Sequence, residues 1–265
     1  MASGTSSSQM AQPPVQGIDT PADAPVAFSP LYQQNKGLLL QSLQAGEWKP
    51  GELIPSEIDL ASRYRVSQGT VRKAVDELAT GKLLVRRQGK GTFVATHAEH
   101  HVQYRFLRLT PDSGTLDSEG PAQREILDCK RQRASAEVAR LLAIRTGEPV
   151  LLVRRLMAFS GVPTILEDIW LPAGPFKGLS TELLASYQGT LYALFETEFG
   201  VRMLRADEKI RAVAADAEQA ALLRTAEGYP LLSVERVAHT YSDVPMEFRR
   251  GVYRTDTHHY HNQLS

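Results

Sequence analysis

The chain has 265 residues, 30 Lys+Arg against 30 Asp+Glu and a single cysteine, Cys129. That length leaves room for two modest domains, and a net charge of zero gives no overall field toward nucleic acid or membrane. One cysteine excludes an intrachain disulfide and suits a reducing compartment. No apolar run approaches the roughly 20 residues of a membrane helix and no signal peptide is recognisable, so a cytoplasmic location without membrane contact is expected.

Residues 1–29, rich in Ala, Ser, Gly, Pro and Gln, have little to bury and are expected to form a disordered tail. Residues 30–95 differ in texture. Between 31 and 95 there are ten Lys/Arg against six Asp/Glu, so a basic surplus collects there. Leu31 to Ala45 reads as a helix stopped by Gly46, and "WKPG" (48–51) as a turn. Ser56, with Asp59 three residues on, is placed to cap a second helix through Ile58, Leu60, Ala61 and Tyr64. After a break at Arg65-Val66, Ser67 is placed to cap a third helix, "VSQGTVRKAV" (66–75). Its Val71, Ala74, Val75 and Leu78 recur at helical spacing and face a core. Gly69, Arg72, Lys73 and Asp76 occupy the opposite face, flanked by Gln68 and Thr70.

"LLVRRQGKGTFVA" (83–95) then reads as strand, tight turn and strand. Three short helices followed by a basic hairpin is the layout of a winged helix-turn-helix, which presents the start of its third helix to a major groove of double-stranded DNA. Ser67, Gln68, Gly69, Thr70, Arg72 and Lys73 on that helix, and Arg87, Gly89, Lys90 and Gly91 on the wing, are the candidate DNA-binding residues. Glycine at 69 lets the helix backbone approach DNA without an intervening Cβ. "GKGT" (89–92) lacks the spacing of a P-loop, and the histidines of "HAEHH" (97–101) and of the C-terminal region fall in a linker and a terminus. No metal or other cofactor is expected.

Beyond a linker at 96–102, residues 103–261 read as an α+β domain with an internal repeat. "AEVARLLAIRTGEPVLLVRR" (136–155) recurs as "AEQAALLRTAEGYPLLSVER" (217–236) at an offset of 81. Each copy is a short helix, a Gly-x-Pro turn and a strand, so a pseudo-symmetric domain with a cleft is expected. Residues 150–158 and 164–171 form a hairpin centred on Gly161, pairing Leu151/Leu171, Val153/Ile169, Arg155/Glu167 and Met157/Ile165 on one face. An arginine opposite a glutamate in an apolar row is either a cross-strand ion pair that holds the sheet or a ligand clamp, with Arg155 for an anionic group and Glu167 for hydroxyls or an amine. Arg236, Arg249 or Arg250 supplies a second cation if the register of its strand turns it inward. Cys129 falls in an apparent strand as a small core residue.

"PLYQQ", the "PG…PSE" lead-in, "VSQGTVRKAV" and "RRQGKGTFV" together resemble the DNA-binding domain of the GntR family of bacterial transcription regulators, over the whole of residues 30–95. Many members carry arginine at the position of Gln68 and a basic or polar residue at that of Ile58. "RLMAFSGVPTILEDIWLP" (155–172), "GTLYALFETEFGV" (189–201) and "VPMEFRRGVYRTD" (244–256) resemble the UTRA effector domain of the HutC subfamily, which has a chorismate-lyase-like fold. The resemblance implies effector contacts from Arg155, Glu167, Thr190, Tyr192, Glu247 and Tyr253. Met157 stands where phosphosugar-sensing members have a second arginine, which favours a small carboxylate over a sugar phosphate. The resemblance thus implies a homodimeric repressor, not an enzyme, released from a roughly palindromic operator by a small anionic metabolite. The alternatives are a DNA-binding protein whose second domain only dimerises, and a lyase suggested by fold alone.

Overall fold

The computed structural model describes Met1 and residues 29–96, 108–112 and 122–262. Nearly all of the expected tail and of the expected linker lies outside the described residues.

The N-terminal unit comprises α1 (Leu31–Gln44), α2 (Glu57–Tyr64), α3 (Gln68–Thr80), β1 (Leu84–Arg87) and β2 (Gly91–Val94). Ser56 and Asp59 form a reciprocal capping box that satisfies backbone donors at the start of α2. Arg65, left-handed at φ 54°, turns the chain between α2 and α3. Ser67 then caps α3 by accepting from the Thr70 N–H at 3.2 Å. The apolar stripe of α3 (Val71, Ala74, Val75, Leu78) packs with Leu39, Leu43, Leu60, Leu84 and Val94 in one core. The wing strands pair antiparallel from Leu84↔Val94 to Arg87↔Gly91.

The second unit is built on a six-stranded antiparallel sheet in the order β4-β5-β6-β9-β8-β7. Its strands are β4 (Gln123–Arg133), β5 (Pro149–Phe159), β6 (Val162–Pro172), β7 (Arg205–Ala214), β8 (Pro230–His239) and β9 (Pro245–Tyr253). This order is symmetric about the β6/β9 junction, as a duplicated β-α-β-β unit requires. The repeat helices are α4 (Ala136–Leu141) and α7 (Ala217–Leu223), and the equivalent turn glycines Gly147 and Gly228 adopt φ 82° and 80°.

Both repeat helices pack on one face of the sheet, α4 against Trp170, Phe248 and Val237, and α7 against Leu156, Leu166 and Val252. Each helix also reaches the other half. Arg154 of β5 donates to Glu218 of α7 at 2.7 Å, and Arg250 of β9 donates to Glu137 of α4 at 2.9 Å. These are the aligned glutamates of the repeat, so the two halves are tied together by a pair of crossed contacts.

The opposite face carries α5 (Thr181–Ser186) and α6 (Leu191–Phe199), packed with Leu151, Val153, Ile169 and Leu171. A two-stranded ribbon, β3 (Leu109–Pro111) with β10 (His258–Tyr260), covers the other end of that face over Met157, Ile165, Val234 and Tyr253. Every pair expected for the β5/β6 hairpin is present, including Arg155↔Glu167. Cys129 lies in β4, half-buried against the α5/α6 core.

Candidate functional site

Two constellations concentrate polar chemistry, one on each unit. On the first, the start of α3, the start of α2 and the wing surround a groove of about 590 Å³, lined by Glu57, Ile58, Gln68, Arg86, Arg87, Gly89, Lys90 and others. Gly69, Arg72, Lys73, Arg87, Gly89, Lys90 and Gly91 are exposed. Glu57 is the organising group. It accepts from Arg72 at 2.9 Å, from Arg86 at 2.9 Å and from Gln68 at 3.5 Å. Partial burial pushes its carboxyl up, but Arg72 and Arg86 outweigh that and hold it below the usual carboxylate range.

The remaining candidates are placed differently. Ser67 and Thr70 share a 2.8 Å hydroxyl contact at the helix cap. Lys73 lays its ammonium over the Tyr32 ring of α1 at 3.7 Å, and Arg87 stacks on Phe93 at 4.6 Å. Ile58 is exposed at the mouth of the groove. Glu57 was not among the sequence candidates. The glutamate stood in the quoted "PSE", but a carboxylate on a DNA-facing surface runs against charge reasoning.

On the second unit, strand alternation and register bring side chains from five neighbouring strands, β5, β6, β9, β8 and β7, to the α5/α6 face. Arg155 donates to Glu167 at 2.7 Å, and Arg249 approaches the same carboxylate at 3.1 Å. Arg249 also grips Glu247 through both carboxylate oxygens, at 2.9 and 3.0 Å. Tyr253 donates to Glu167 at 3.1 Å, and Tyr192 of α6 donates to Glu247 at 2.9 Å. Arg236 pairs with Glu208 at 2.6 Å, and Tyr260 of the covering ribbon also donates to Glu208.

Among the described residues the core of this network is three guanidinium groups and three carboxylates, whose charges balance, while the more exposed Arg108 lies 3.8 Å from Glu208 at its edge. Burial pushes the Glu167 carboxyl up, but Arg249 and Arg155 more than offset it and bring it down to about 2. Burial and the neighbouring carboxylates push both Tyr192 and Tyr253 up, so these hydroxyls act as hydrogen-bond donors.

Of the six effector candidates, Arg155, Glu167, Tyr192, Glu247 and Tyr253 meet in this network. Thr190 does not; its hydroxyl accepts from the Ala193 N–H at 3.2 Å and caps α6. The register turns Arg236 and Arg249 inward and Arg250 outward. Glu208 and Tyr260 were missed, because they come from an edge strand and from the ribbon, and no hairpin periodicity links either to Arg155. Among the described residues no group of His, Cys, Asp and Glu side chains is arranged to hold a metal ion, and no helix is long and apolar enough to cross a membrane. The histidines of 97–101 lie outside the described residues.

A winged reading head joined to a pseudo-symmetric domain with a buried polar network defines a class, the DNA-binding regulator with its own sensory domain. Residues 31–94 match the model of the gntR family of bacterial regulatory proteins, and residues 120–259 match the UTRA domain. The chain belongs to the gntR family, with a UTRA domain as its second unit.

NagR, a transcriptional repressor of Bacillus subtilis strain 168, is 28% identical over 242 residues, covering 89% of this chain and 96% of NagR. MngR, the mannosyl-D-glycerate transport/metabolism system repressor of Escherichia coli K12, is 26% identical over 232 residues, covering 87% and 94%. The solved ligand-binding domain of a GntR-family regulator from Bordetella bronchiseptica is 52% identical, covers 62% of this chain and all of that one, and superposes with a TM-score of 0.60. The chain is therefore a ligand-responsive, DNA-binding transcription regulator and not an enzyme.

Proposed function

We propose that the chain is a cytoplasmic, homodimeric repressor of the HutC subfamily, divided into a DNA-reading unit at 30–95 and an effector and dimerisation unit at 103–261. It reads a roughly palindromic duplex with Ser67, Gln68, Gly69, Thr70, Arg72 and Lys73, and steadies itself on phosphates with Arg87, Gly89, Lys90 and Gly91. A small carboxylate bound by Arg155, Glu167, Thr190, Tyr192, Glu247 and Tyr253 releases it.

The observation that carries the effector reading is the asymmetry around Glu167. It has three donors, so if Arg155 turns to a ligand, Arg249 and Tyr253 still hold the carboxylate. Arg155 is thus the cation that a ligand takes at least cost, and its planar fork suits two parallel bonds to one carboxylate. Met157, buried and apolar, adds no charge for a dianion. The relative MngR serves a glycerate derivative, itself a carboxylate.

Calorimetry with matched carboxylate and phosphate panels tests this reading. A carboxylate entering a charge-balanced network should also draw in a proton, which buffers of different ionisation heat will count. Tight binding of a sugar phosphate that survives Arg155→Ala would overturn both ligand class and site. Sedimentation of the full chain at micromolar concentration tests the dimer.

One observation favours a second reading, in which the UTRA unit only dimerises: each of the six charges at the core of the network has a partner within the chain. That reading requires no ligand in either panel to bind.

A further inference from the structure

A further buried ion pair lies outside the effector network, where the two units meet. Helix α6 is apolar and nearly surrounded, yet it carries Glu196, 2% exposed. Gly200, left-handed at φ 65°, ends the helix and turns the chain back. This brings Arg202, 4% exposed, to within 3.4 Å of Glu196.

The outer nitrogens of Arg202 donate to the carbonyls of Leu83 at 3.2 Å and Lys82 at 3.1 Å. The Thr96 hydroxyl donates to Glu196 at 3.0 Å. All three partners belong to the reading head. Lys82, left-handed at φ 57°, and Leu83 form the turn between the recognition helix α3 and the wing, and Thr96 follows the second wing strand. One ion pair of the UTRA unit therefore grips both ends of the wing hairpin. It also sets a cation at the C-terminal end of α3, the negative end of the helix.

The other end of α6 belongs to the effector network. Tyr192 lies four residues before Glu196, one turn away on the same side of the helix, and donates to Glu247. A short rigid helix thus touches the network with one side chain and the reading head, through Arg202, with another. A planar guanidinium that serves two carbonyls and a carboxylate at once tolerates little change in their spacing.

We propose that Arg202, held by Glu196, is a positioning residue for the recognition helix, and that α6 is the element through which the state of the effector network reaches it. A ligand that perturbs the Tyr192–Glu247 bond shifts α6, and the clamp then holds the head in a different orientation. Such a shift follows only if the two states of the network differ in free energy with the clamp engaged. The proposal rests on α3 and the wing as the DNA reader, and is independent of the effector's identity.

The test uses the full chain, a duplex that the wild type selects from a random pool, and a scrambled duplex of the same length. Arg202→Ala should weaken binding to the selected duplex about tenfold while leaving the scrambled duplex almost unchanged, because the phosphate-binding side chains of the head remain. Arg202→Lys should restore only part of the loss, since an ammonium lacks the fork. Glu247→Gln should change affinity for the selected duplex about threefold or more in the parent, and leave it unchanged when combined with Arg202→Ala. Should Glu247→Gln fail to fold, Tyr192→Phe removes the same bond by deleting one hydroxyl.

Wild-type affinity in Arg202→Ala overturns the proposal. So does an equal effect of the network variant in both backgrounds, or no effect in either. Failure of the DNA-reading assignment shows separately, as an Arg72→Ala protein that binds the selected duplex like the wild type.

Discussion

Glu57 accepts a hydrogen bond from Arg72 at 2.9 Å, so the central cation of the recognition helix is held by a carboxylate on the preceding helix. The other oxygen of Glu57 takes Arg86 from the wing strand. A negative group on this face opposes phosphate, yet it fixes where two cations point. Arg72→Ala should cost about 1–3 kcal/mol of specific binding if the side chain reads a base. Lys90→Ala should weaken all duplexes and lower the salt slope by about one. Glu57→Gln should tighten binding to random sequence while shrinking the preference for the selected duplex. Titrations across salt with both duplexes check all three. An unchanged preference in Glu57→Gln would mean that Glu57 does not aim Arg72.

Gly69 and Gly91 lie in the same region but answer to different constraints. A Cβ at Gly69 would meet only the Ser67 hydroxyl, at 3.9 Å, so the fold itself does not demand glycine there. Gly69→Ala should leave stability unchanged or raise it by less than about 1 kcal/mol, since alanine is the better helix former. It should nevertheless weaken DNA binding, because the methyl group occupies the gap between helix and duplex. Gly91 has φ 107°, and a Cβ there would fall 2.6 Å from Leu53 Cδ1. Gly91→Ala should cost about 1–3 kcal/mol and disorder the wing. Thermal unfolding beside duplex titration separates the two cases. A Gly69→Ala protein with full affinity would remove the close-approach argument.

The first unit was legible almost residue by residue, because each of its signals is local. Ser56 and Ser67 cap the helices, Val71, Ala74, Val75 and Leu78 set the buried stripe of α3, and a glycine-rich turn closes the wing. The β5/β6 pairs from Met157↔Ile165 to Leu151↔Leu171 were legible from centring the hairpin on Gly161. The tight turn itself pairs Phe159 with Val162, and a bulge at Met157/Ala158, which the sequence did not reveal, restores that register. The β8/β9 register was not legible. Its turn runs through Ser242 and Asp243, both non-glycine residues at positive φ, and the pairing slips at Ala238/His239. Which of Arg236, Arg249 and Arg250 faces inward therefore had to come from the structure. The crossed contacts of Glu137 and Glu218, and the clamp of Glu196 and Arg202 on the head, join residues with no shared periodicity, so tertiary placement alone reveals them.

Asn35 tests how the reading head tolerates a buried polar group. It is 1% exposed on α1, and neither its amide oxygen nor its amide nitrogen has a hydrogen-bond partner among the described residues. Such a group costs about 1–3 kcal/mol. Asn35→Leu, close in size, should raise the urea midpoint without changing the slope of the transition. A lower midpoint would mean that the amide has partners the described residues do not include.

Glu167 makes the stability of the UTRA unit depend on acid. Its carboxyl, pushed up by burial but pulled down further by Arg249 and Arg155, titrates at about 2 in the folded chain against an ordinary value of 4.5. The unfolded chain therefore takes up the proton first as pH falls. The stabilising contribution is complete above about pH 4.5, declines below it and is gone by about pH 2. The difference corresponds to roughly 3 kcal/mol. Glu167→Gln should be less stable at neutral pH, because Arg155 loses its ionised partner. It should also lose less further stability between about pH 4.5 and pH 2, so the two curves converge as acid is added. Urea midpoints followed by tryptophan fluorescence over that range, Trp170 reporting on the sheet, make the comparison. Parallel curves would show that Glu167 carries no excess charge stabilisation, and would remove the network's claim to hold Arg155 in place by ionic pairing.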